Sequence, residues 1–330
     1  MTASVSTSFL VRRRMLRALA AAPLAATAFA SGMRRASAAE SLTLVLGDQA
    51  GGTRALVEAA RVLDGAPYAY RWANFQGAAP LFEAQRAGSV DLAPAGDLPV
   101  LAAAVGDPTL KIVATRVGSG AQLGILVGAR SAIRTVADLK GRTVYVSSAR
   151  GSISQFQLYG ALAEAGLTKN DVTVQFILPV DAFAAFESGA IEVWATFDPY
   201  YGIAVQQGAR ILRDGTGINS GLGFITASGE ALVDAKKRAA IADVLLRYQR
   251  AGDWALANPE AYAQIYATLT RSPLDAAKLI TKRASLKQHF VTDADIDALQ
   301  KVADRASRDA ILPRRIDVRA ISDTRIASAG

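Results

Sequence analysis

The sequence predicts an α/β protein whose two lobes enclose a ligand cleft, and three observations support this fold class. From Ser41 onward, short apolar runs alternate with amphipathic helical segments, as in βαβ units that build a parallel sheet with helices on both faces. The alternation is interrupted at Gly118-Ser119-Gly120 and then restarts, which predicts a second α/β unit over about residues 120–215. After Asp214 the chain makes one more apolar run and continues as helices to about Ala310. A chain that leaves one unit, builds another and returns predicts two lobes joined by two crossovers, with the cleft at the strand ends of both lobes.

The elements of the first unit follow from apolar runs separated by helical segments. The predicted strands are Leu42–Leu46, Tyr68–Trp72, Val90–Ala93 and Lys111–Arg116. The predicted helices are Thr53–Leu63, Ala78–Arg86 and Leu98–Val105.

The second unit repeats the pattern, and a helical region follows it. Its predicted strands are Leu123–Val127, Thr143–Val146, Val172–Ile177, Val193–Thr196 and Arg210–Leu212, and its predicted helices are Val136–Lys140, Ser152–Ala165, Asp181–Glu187 and Tyr200–Gln206. Beyond them we predict a strand at Phe224–Ala227 and helices at Ala231–Ala257, Pro259–Leu269, Pro273–Ser285 and Asp293–Ala310. We therefore assign residues 40–118 and 216–330 to lobe 1 and residues 119–215 to lobe 2.

Residues 1–39 have the features of an export signal: a cationic start, an apolar run at Leu16–Ala30 and an A-x-A site at Ala36-Ser37-Ala38. The string VRRRMLR resembles the twin-arginine export signature, with Arg12 and Arg13 as the pair. An ordinary secretion signal with extra arginines is the alternative. Both interpretations predict export to the periplasm, and no later apolar run approaches the roughly 18 residues of a membrane span.

The charge and the residue types exclude several classes of function. The formal net charge is +8, but six of the 37 basic residues precede residue 40, which leaves 31 against 29 acidic residues in the mature chain. We therefore expect a monomer that does not bind nucleic acid. The absence of cysteine excludes disulfides, thiolate metal sites and cysteine nucleophiles. The single histidine, His289, lies in a polar stretch interpreted as a surface helix, so we expect no catalytic residue, no metal and no cofactor.

Three glycine-led loops stand where a strand should lead into a helix: Gly51-Gly52-Thr53, Gly96-Asp97-Leu98-Pro99 and Arg150-Gly151-Ser152. The free N–H groups and the dipole at a helix N-terminus favour an anion, so such loops can bind one. Simple helix capping by Thr53 and Ser152 is the alternative. A further segment, Trp194 to Tyr200, ends a predicted strand and places Asp198 at its carboxyl end, where it would either cap a helix or face the cleft.

An ordered set of motifs resembles the periplasmic aliphatic sulfonate-binding proteins of ABC importers, relatives of the taurine- and nitrate-binding proteins. The matching segments are Gln76–Asp91, Gly96–Pro99, Val136–Gly141, Arg150–Ser152, Trp194–Tyr200, Asp214–Ile218, Gly252–Trp254 with Ala257–Pro259, and Leu312–Ile316. The resemblance implies a periplasmic binding protein-like fold of type II, with two α/β lobes, a cleft between them and a helical C-terminal extension. It also implies capture of an aliphatic sulfonate or related small organic anion for the permease of an importer.

The family's pocket residues are carried over position by position. The ligand-binding candidates so implied are Gln49, Gly96, Asp97, Leu98, Arg150, Gly151, Ser152 and Asp198. The family's first loop commonly carries Tyr-Gln-Lys where this chain has Asp48-Gln49-Ala50, and a threonine stands where this chain has Leu98. These departures leave open a ligand with a larger apolar or cationic part. Arg150, where lysine is common, could grip sulfonate oxygens with its planar fork.

Two other functions remain as alternatives to a transport protein. The same fold is used by a sulfinate desulfinase that needs a cysteine and by a thiamin-pyrimidine synthase with histidines at its site, and this chain has no cysteine and one histidine. A periplasmic binding protein that serves a sensor receptor is the other alternative.

Overall fold

Residues 42–329 are described by a computed structural model of the chain, and they form two β-sheets covered by helices. The predicted export signal, residues 1–39, lies outside the described residues. In chain order the strands are β1 (Thr43–Gln49), β2 (Ala69–Phe75), β3 (Leu92–Gly96), β4 (Lys111–Val117), β5 (Leu123–Val127), β6 (Thr143–Ser147), β7 (Thr173–Ile177), β8 (Val193–Phe197), β9 (Arg210–Asp214), β10 (Leu222–Ala227) and β11 (Lys287–Phe290).

The α-helices lie at or near the positions predicted from the periodicity of apolar residues. They are α1 (Gly52–Ala60), α2 (Ala78–Arg86), α3 (Asp97–Gly106), α4 (Ile153–Glu164), α5 (Pro179–Glu187), α6 (Tyr200–Gln206), α7 (Gly229–Val233), α8 (Ala235–Ala257), α9 (Pro259–Thr270), α10 (Leu274–Arg283) and α11 (Asp293–Arg308). The helix predicted over 231–257 is two helices, because Asp234 interrupts it. The Asp234 carboxylate accepts hydrogen bonds from the N–H groups of Lys236 and Lys237 (2.8 and 3.0 Å) and so begins a new helix.

Each sheet combines parallel and antiparallel strands, whereas the sequence predicted parallel pairing. The six-stranded sheet has the order β11-β4-β10-β3-β1-β2 and the five-stranded sheet the order β7-β6-β8-β5-β9. Strand β5 runs antiparallel to β8 and β9, and β10 runs antiparallel to β3 and β4. Both are the first strands after a crossover. Each crossover brings the chain to the side of the sheet where the carboxyl ends of the parallel strands lie. The first strand after the crossover therefore runs antiparallel to them.

We call the six-stranded sheet with α1–α3 and α7–α11 the six-stranded half, and the five-stranded sheet with α4–α6 the five-stranded half. Buried apolar residues pack on both faces of each sheet, such as Leu44 and Phe224 on the two faces of the larger one and Val144 and Trp194 on those of the smaller. The two-lobed α/β fold class is thereby confirmed. The lobe boundaries drawn at 118/119 and 215/216 stay a prediction.

The interpretation of the stretch around His289 as helical is wrong. Lys287–Phe290 forms β11, which pairs antiparallel with β4 at the edge of the six-stranded sheet. Without β11, the ladder groups of Ala114–Val117 in β4 would be unpaired on that side. His289 Nε2 lies 2.9 Å from a carboxylate oxygen of Asp295 at the start of α11.

Two crossovers join the halves, and glycines bring them into backbone contact. The Gly118 N–H donates to the Gly221 carbonyl at 2.7 Å. A Cβ atom at Gly120 would lie 2.7 Å from the Gly215 carbonyl oxygen, closer than real Cβ contacts. The two segments therefore lie side by side only because these positions lack side chains.

Candidate functional site

A cavity of about 450 Å³ lies between the two halves, at the carboxyl ends of their parallel strands. The six-stranded half contributes residues from the ends of β1, β3 and β4 and the start of β10, and the five-stranded half contributes the segments after β6 and β8. This is the place where open α/β sheets bind their ligands. The volume is that of a pocket for a small organic molecule.

Four charged residues line the cavity, and only the two acidic ones form ion pairs. Asp198 is paired with Arg283 and Glu83 with Arg86, and neither arginine partner lines the cavity. Arg116 and Arg150 line it as well, yet within residues 42–329 no carboxylate lies within ion-pair distance of either. The two acids that line the cavity are therefore paired and the two cations are not, so the lining side chains carry an excess of positive charge. Asp48, which does not line the cavity, acts on Arg116 only from beyond ion-pair distance.

Arg116, the last but one residue of β4, is the more deeply placed of these cations. Its Nη1 donates to Thr53 Oγ1 (3.0 Å), its Nε to Gln288 Oε1 (3.3 Å), and its guanidinium carbon lies 5.8 Å from the ring centre of Tyr248. Its Nη2 is buried and has no hydrogen-bond partner among the described residues. Burial lowers the pKa of Arg116, with Tyr248 and Asp48 acting in the opposite direction, but a guanidinium remains protonated in proteins.

Several uncharged polar groups accompany Arg116 in the wall. Ser148 and Gln122 each have a buried side-chain oxygen for which residues 42–329 supply no hydrogen-bond partner. The hydroxyls of Tyr262 and Tyr266, both on α9, also have no partner anywhere in the described part of the chain. Burial raises the pKa of both phenols, so they stay protonated and can donate.

The rest of the wall is largely apolar. Phe82 of α2, Leu222 and Phe224 of β10, and Ile153 of α4 all line the cavity, together with several alanines. Phe224 is only 1% exposed and Phe82 only 7%. The arrangement suits a molecule with an anionic group and an apolar part.

Six of the eight residues expected at the site line the cavity, but several of their polar groups already bind other groups of the protein. The six are Gln49, Gly96, Arg150, Gly151, Ser152 and Asp198. Gln49 Nε2 donates to the Pro94 carbonyl at 2.7 Å, which fixes this side chain on β3.

The backbone N–H groups expected to bind an anion are partly used by the protein itself. The Gly151 N–H donates to Gln155 Oε1 (2.7 Å), and Ser152 Oγ accepts from the Gln155 N–H (3.3 Å). In the first loop, the Thr53 N–H donates to an Asp48 carboxylate oxygen at 2.8 Å. The capping alternative therefore describes Ser152. At the start of α1 the cap is Asp48, and Thr53 instead accepts from Arg116.

Asp97 and Leu98 do not line the cavity, which differs from the expectation for both. Leu98 is fully buried in a core cluster that also contains residues of α2 and α11. Its N–H donates to the Asp97 carboxylate (2.7 Å) and is not free for a ligand. Asp97 is also fully buried and binds Ser220 of the second crossover, through the N–H (3.0 Å) and the hydroxyl (2.7 Å).

Asp48, the acid found where the family has a tyrosine, does not line this cavity either. It is fully buried, and burial raises its pKa while the N–H groups of α1 lower it. The acid gained in this loop is therefore part of the start of α1.

Arg150 lies at the cavity but is exposed. Its guanidinium carbon lies 5.4 Å from the ring centre of Phe176 on β7, a distance at which a cation is attracted to an aromatic face. Arg150 can therefore meet an anion at the cavity edge rather than enclose it.

Metal chemistry finds no support in the part of the chain that the structure covers. Residues 42–329 contain no group of three or more His, Cys, Asp or Glu side chains close enough to hold a metal ion.

The same residues contain no helix with the length and apolar character needed to cross a bilayer.

Five residues that line the cavity are not among those predicted from the sequence: Arg116, Gln122, Ser148, Tyr262 and Tyr266. Arg116 ended a predicted strand, and a basic residue alone at a strand end has no signature. Tyr262 and Tyr266 were spaced four apart in a predicted helix, which would have placed them on one face, but nothing indicated which face met the cleft.

Comparisons with known proteins show which family the chain belongs to. Residues 75–278 match the family model described as "ABC transporter, phosphonate, periplasmic substrate-binding protein". A protein of Escherichia coli (strain K12) named as an aliphatic sulfonates-binding protein is 32% identical over 75% of this chain and 77% of its own length. Among solved structures, the alkanesulfonate-binding protein SsuA from Xanthomonas axonopodis pv. citri, bound to MOPS, is 28% identical with a TM-score of 0.79, over 87% of this chain and 99% of that one. The periplasmic aliphatic sulphonate binding protein SsuA from Escherichia coli is 30% identical with a TM-score of 0.72, over 84% and 91% of the two chains.

Proposed function

Because the chain belongs to the family of periplasmic substrate-binding proteins of ABC transporters, we propose that it captures an aliphatic sulfonate or a related small organic anion and delivers it to an importer. The observation that carries the proposal is the charge of the cavity: among residues 42–329 no acid forms an ion pair with Arg116 or Arg150, whereas Asp198 and Glu83 are both paired. The relatives named for sulfonates support the same ligand class.

In the proposed complex, the anionic head lies near Arg116, with the phenols of Tyr262 and Tyr266 as further donors. The apolar tail extends along Phe82, Leu222 and Phe224. A sulfonate is a permanent anion with three acceptor oxygens and no proton to lose near neutral pH, so it needs donors and a cation but no base. The site offers that set.

We further propose that the protein has no enzymatic activity, that it acts as a monomer and that its partner is an importer permease. The non-enzymatic role is supported by the family and by the absence of cysteine from the sequence. A twin-arginine signal at Arg12 and Arg13 is the proposed export route.

Calorimetric titration of the mature chain with a ligand panel tests the function. The panel contains 1-propanesulfonate, MOPS, propylphosphonate, sulfate and nitrate. We expect the sulfonates to bind. If only propylphosphonate binds, the ligand is a phosphonate and not a sulfonate, but the assignment of the cavity as the binding site still stands. Failure of every anion would refute the proposal.

The variant Arg116→Gln tests the assignment of the cation. A hydrogen bond to a charged group contributes about 1.5 to 3 kcal/mol, so the Kd should rise about tenfold to a hundredfold. Arg142→Gln is the matched control, since Arg142 is exposed and does not line the cavity but its loss changes the net charge equally. Equal affinities of the two variants would remove Arg116 from the site.

A further inference from the structure

Three glycines bring the two halves into contact around the cavity. Gly77 stands before α2, Gly96 ends β3 and Gly151 stands before α4. A Cβ atom built on each of them would come too close to an atom of the opposite half: 2.9 Å from Ser148 Oγ at Gly77, 2.5 Å from Ile153 Cδ1 at Gly96, and 2.7 Å from Ala102 Cβ at Gly151.

The local backbone does not require glycine at two of these positions. Gly151 has φ of 78°, a value that favours glycine whatever its neighbours. Gly77 has φ of 174° and Gly96 has φ of −72°, both of which any residue adopts. At 77 and 96, therefore, the side chain is excluded by the opposite half of the molecule.

We propose that Gly77 and Gly96 are positioning residues for ligand capture, because their missing side chains let the two halves meet over the cavity. A methyl group at either position would clash when the two halves are in contact as they are here. The atoms it would approach most closely, in Ser148 for Gly77 and in Ile153 for Gly96, belong to the five-stranded half. The inference rests on the proposed function only in taking this cavity as the binding site. It concerns how the halves meet, not which anion they enclose.

The test compares Gly77→Ala and Gly96→Ala with Gly128→Ala. Gly128 follows β5, and a Cβ atom there would have no neighbour within 4 Å in the described part of the chain, apart from the two adjacent residues. Because the chain has no cysteine, cysteines introduced at exposed Val180 and Val233, one in each half, can carry a pair of spin labels. Their distance distribution is then measured without ligand and with MOPS.

We expect the wild type and Gly128→Ala to share a short-distance population, in the absence of ligand and more strongly with MOPS. Gly77→Ala and Gly96→Ala should shift towards longer distances, with a dissociation rate for MOPS about tenfold higher, while their melting temperatures without ligand stay at the wild-type value. Since Ile153 Cδ1 is the atom nearest to the added methyl, Ile153→Val should restore the short distance to Gly96→Ala and should not help Gly77→Ala.

Distance distributions of Gly77→Ala and Gly96→Ala that match Gly128→Ala would overturn the inference, and so would the absence of any short-distance population in the ligand-free wild type. The ligand-free distances decide the inference alone. If MOPS fails to bind the wild type, that failure counts against the proposed function and not against the positioning role.

Discussion

Asp198 and Arg283 form a two-pronged ion pair that joins the five-stranded half to the last turn of α10. Arg283 Nη2 lies 2.9 Å from Asp198 Oδ1, and its Nε lies 3.3 Å from Oδ2. The Gly202 N–H donates to the same Oδ1 at 2.8 Å, and Arg283 also lies 4.7 Å from the ring centre of Tyr201. The carboxylate expected to face a ligand is thus engaged by the protein, which is why an acid can stand beside a cavity proposed for anions.

Burial of the Asp198 carboxyl group makes the stability of the protein pH-dependent, although its pairing with Arg283 opposes this effect. Burial raises the pKa of Asp198 to about 7, against the opposing effect of Arg283. Since the unfolded value is 3.8, the folded chain holds more protons between about pH 4 and 7. The free energy of unfolding should therefore fall as the pH rises through that interval, by at most about 1.4 kcal/mol per pH unit, and level off above it. Asp198→Asn should remove this slope, and urea denaturation from pH 4.5 to 8.5 measures it; a pH-independent difference between wild type and variant would contradict the prediction.

Asp97 should act through stability rather than through ligand contact. Its buried carboxylate holds Ser220 of the second crossover, and a hydrogen bond to a charged group contributes about 1.5 to 3 kcal/mol. Ser220→Ala should lower the free energy of unfolding by about that amount, and by much less in an Asp97→Ala background. Additive effects in this double-mutant cycle would show that the two residues are not coupled.

Arg150 should matter less for affinity than Arg116. Because Arg150 is exposed, solvent and salt screen its charge. We expect Arg150→Ala to raise the Kd for MOPS by less than about tenfold, with an effect that shrinks as salt is added. Titration at low and high ionic strength measures both quantities. A larger loss than that of Arg116→Gln would make Arg150 the main anion contact.

The apolar wall should reward longer ligands. Each buried methylene contributes about 0.8 kcal/mol, so affinity should rise about fourfold per carbon along the series from methanesulfonate until the cavity is filled. The expectation rests on Phe82 and Phe224, which line the cavity, and not on Leu98, which does not line it. A flat series would indicate that the tail remains outside.

The proposed export route depends on Arg12 and Arg13, which lie outside the described residues. Replacing both by lysine keeps the charge of the signal and removes the arginine pair. Precursor should then accumulate in the cytoplasm, as judged by fractionation against the unmodified chain. Normal periplasmic accumulation would favour the ordinary secretion signal.

The strands and helices could be predicted because their burial has a period that the sequence displays. Leu123–Val127, a run of apolar residues, was assigned with its observed bounds. Strand direction could not be predicted in the same way, because β5 and β10 look like any other apolar run. Strand β11 was missed since its four residues, Lys287–Phe290, are mostly polar and take their structure from the edge of β4.

The candidate site was predictable only in part, for a related reason. The loop positions could be carried over from a resemblance, and most of them line the cavity. Whether a side chain faces that cavity is decided by packing: Leu98 turns into the core, and Asp97 turns to Ser220. Arg116 matters because it is a deeply placed cation at the cavity with no carboxylate of the described residues at ion-pair distance. That depends on residues from several distant segments, so no local sequence pattern shows it.

The two sheets also differ in when they can form during synthesis. Every strand of the five-stranded sheet comes from one continuous stretch, whereas both neighbours of β4 are made much later, since Val117 pairs with Leu222 and with Lys287. Contacts between residues so distant in sequence form slowly, and a strand edge that is still unpaired promotes aggregation. A nascent chain that ends before β10 can therefore pair every strand of its smaller sheet, while β4 still exposes both edges.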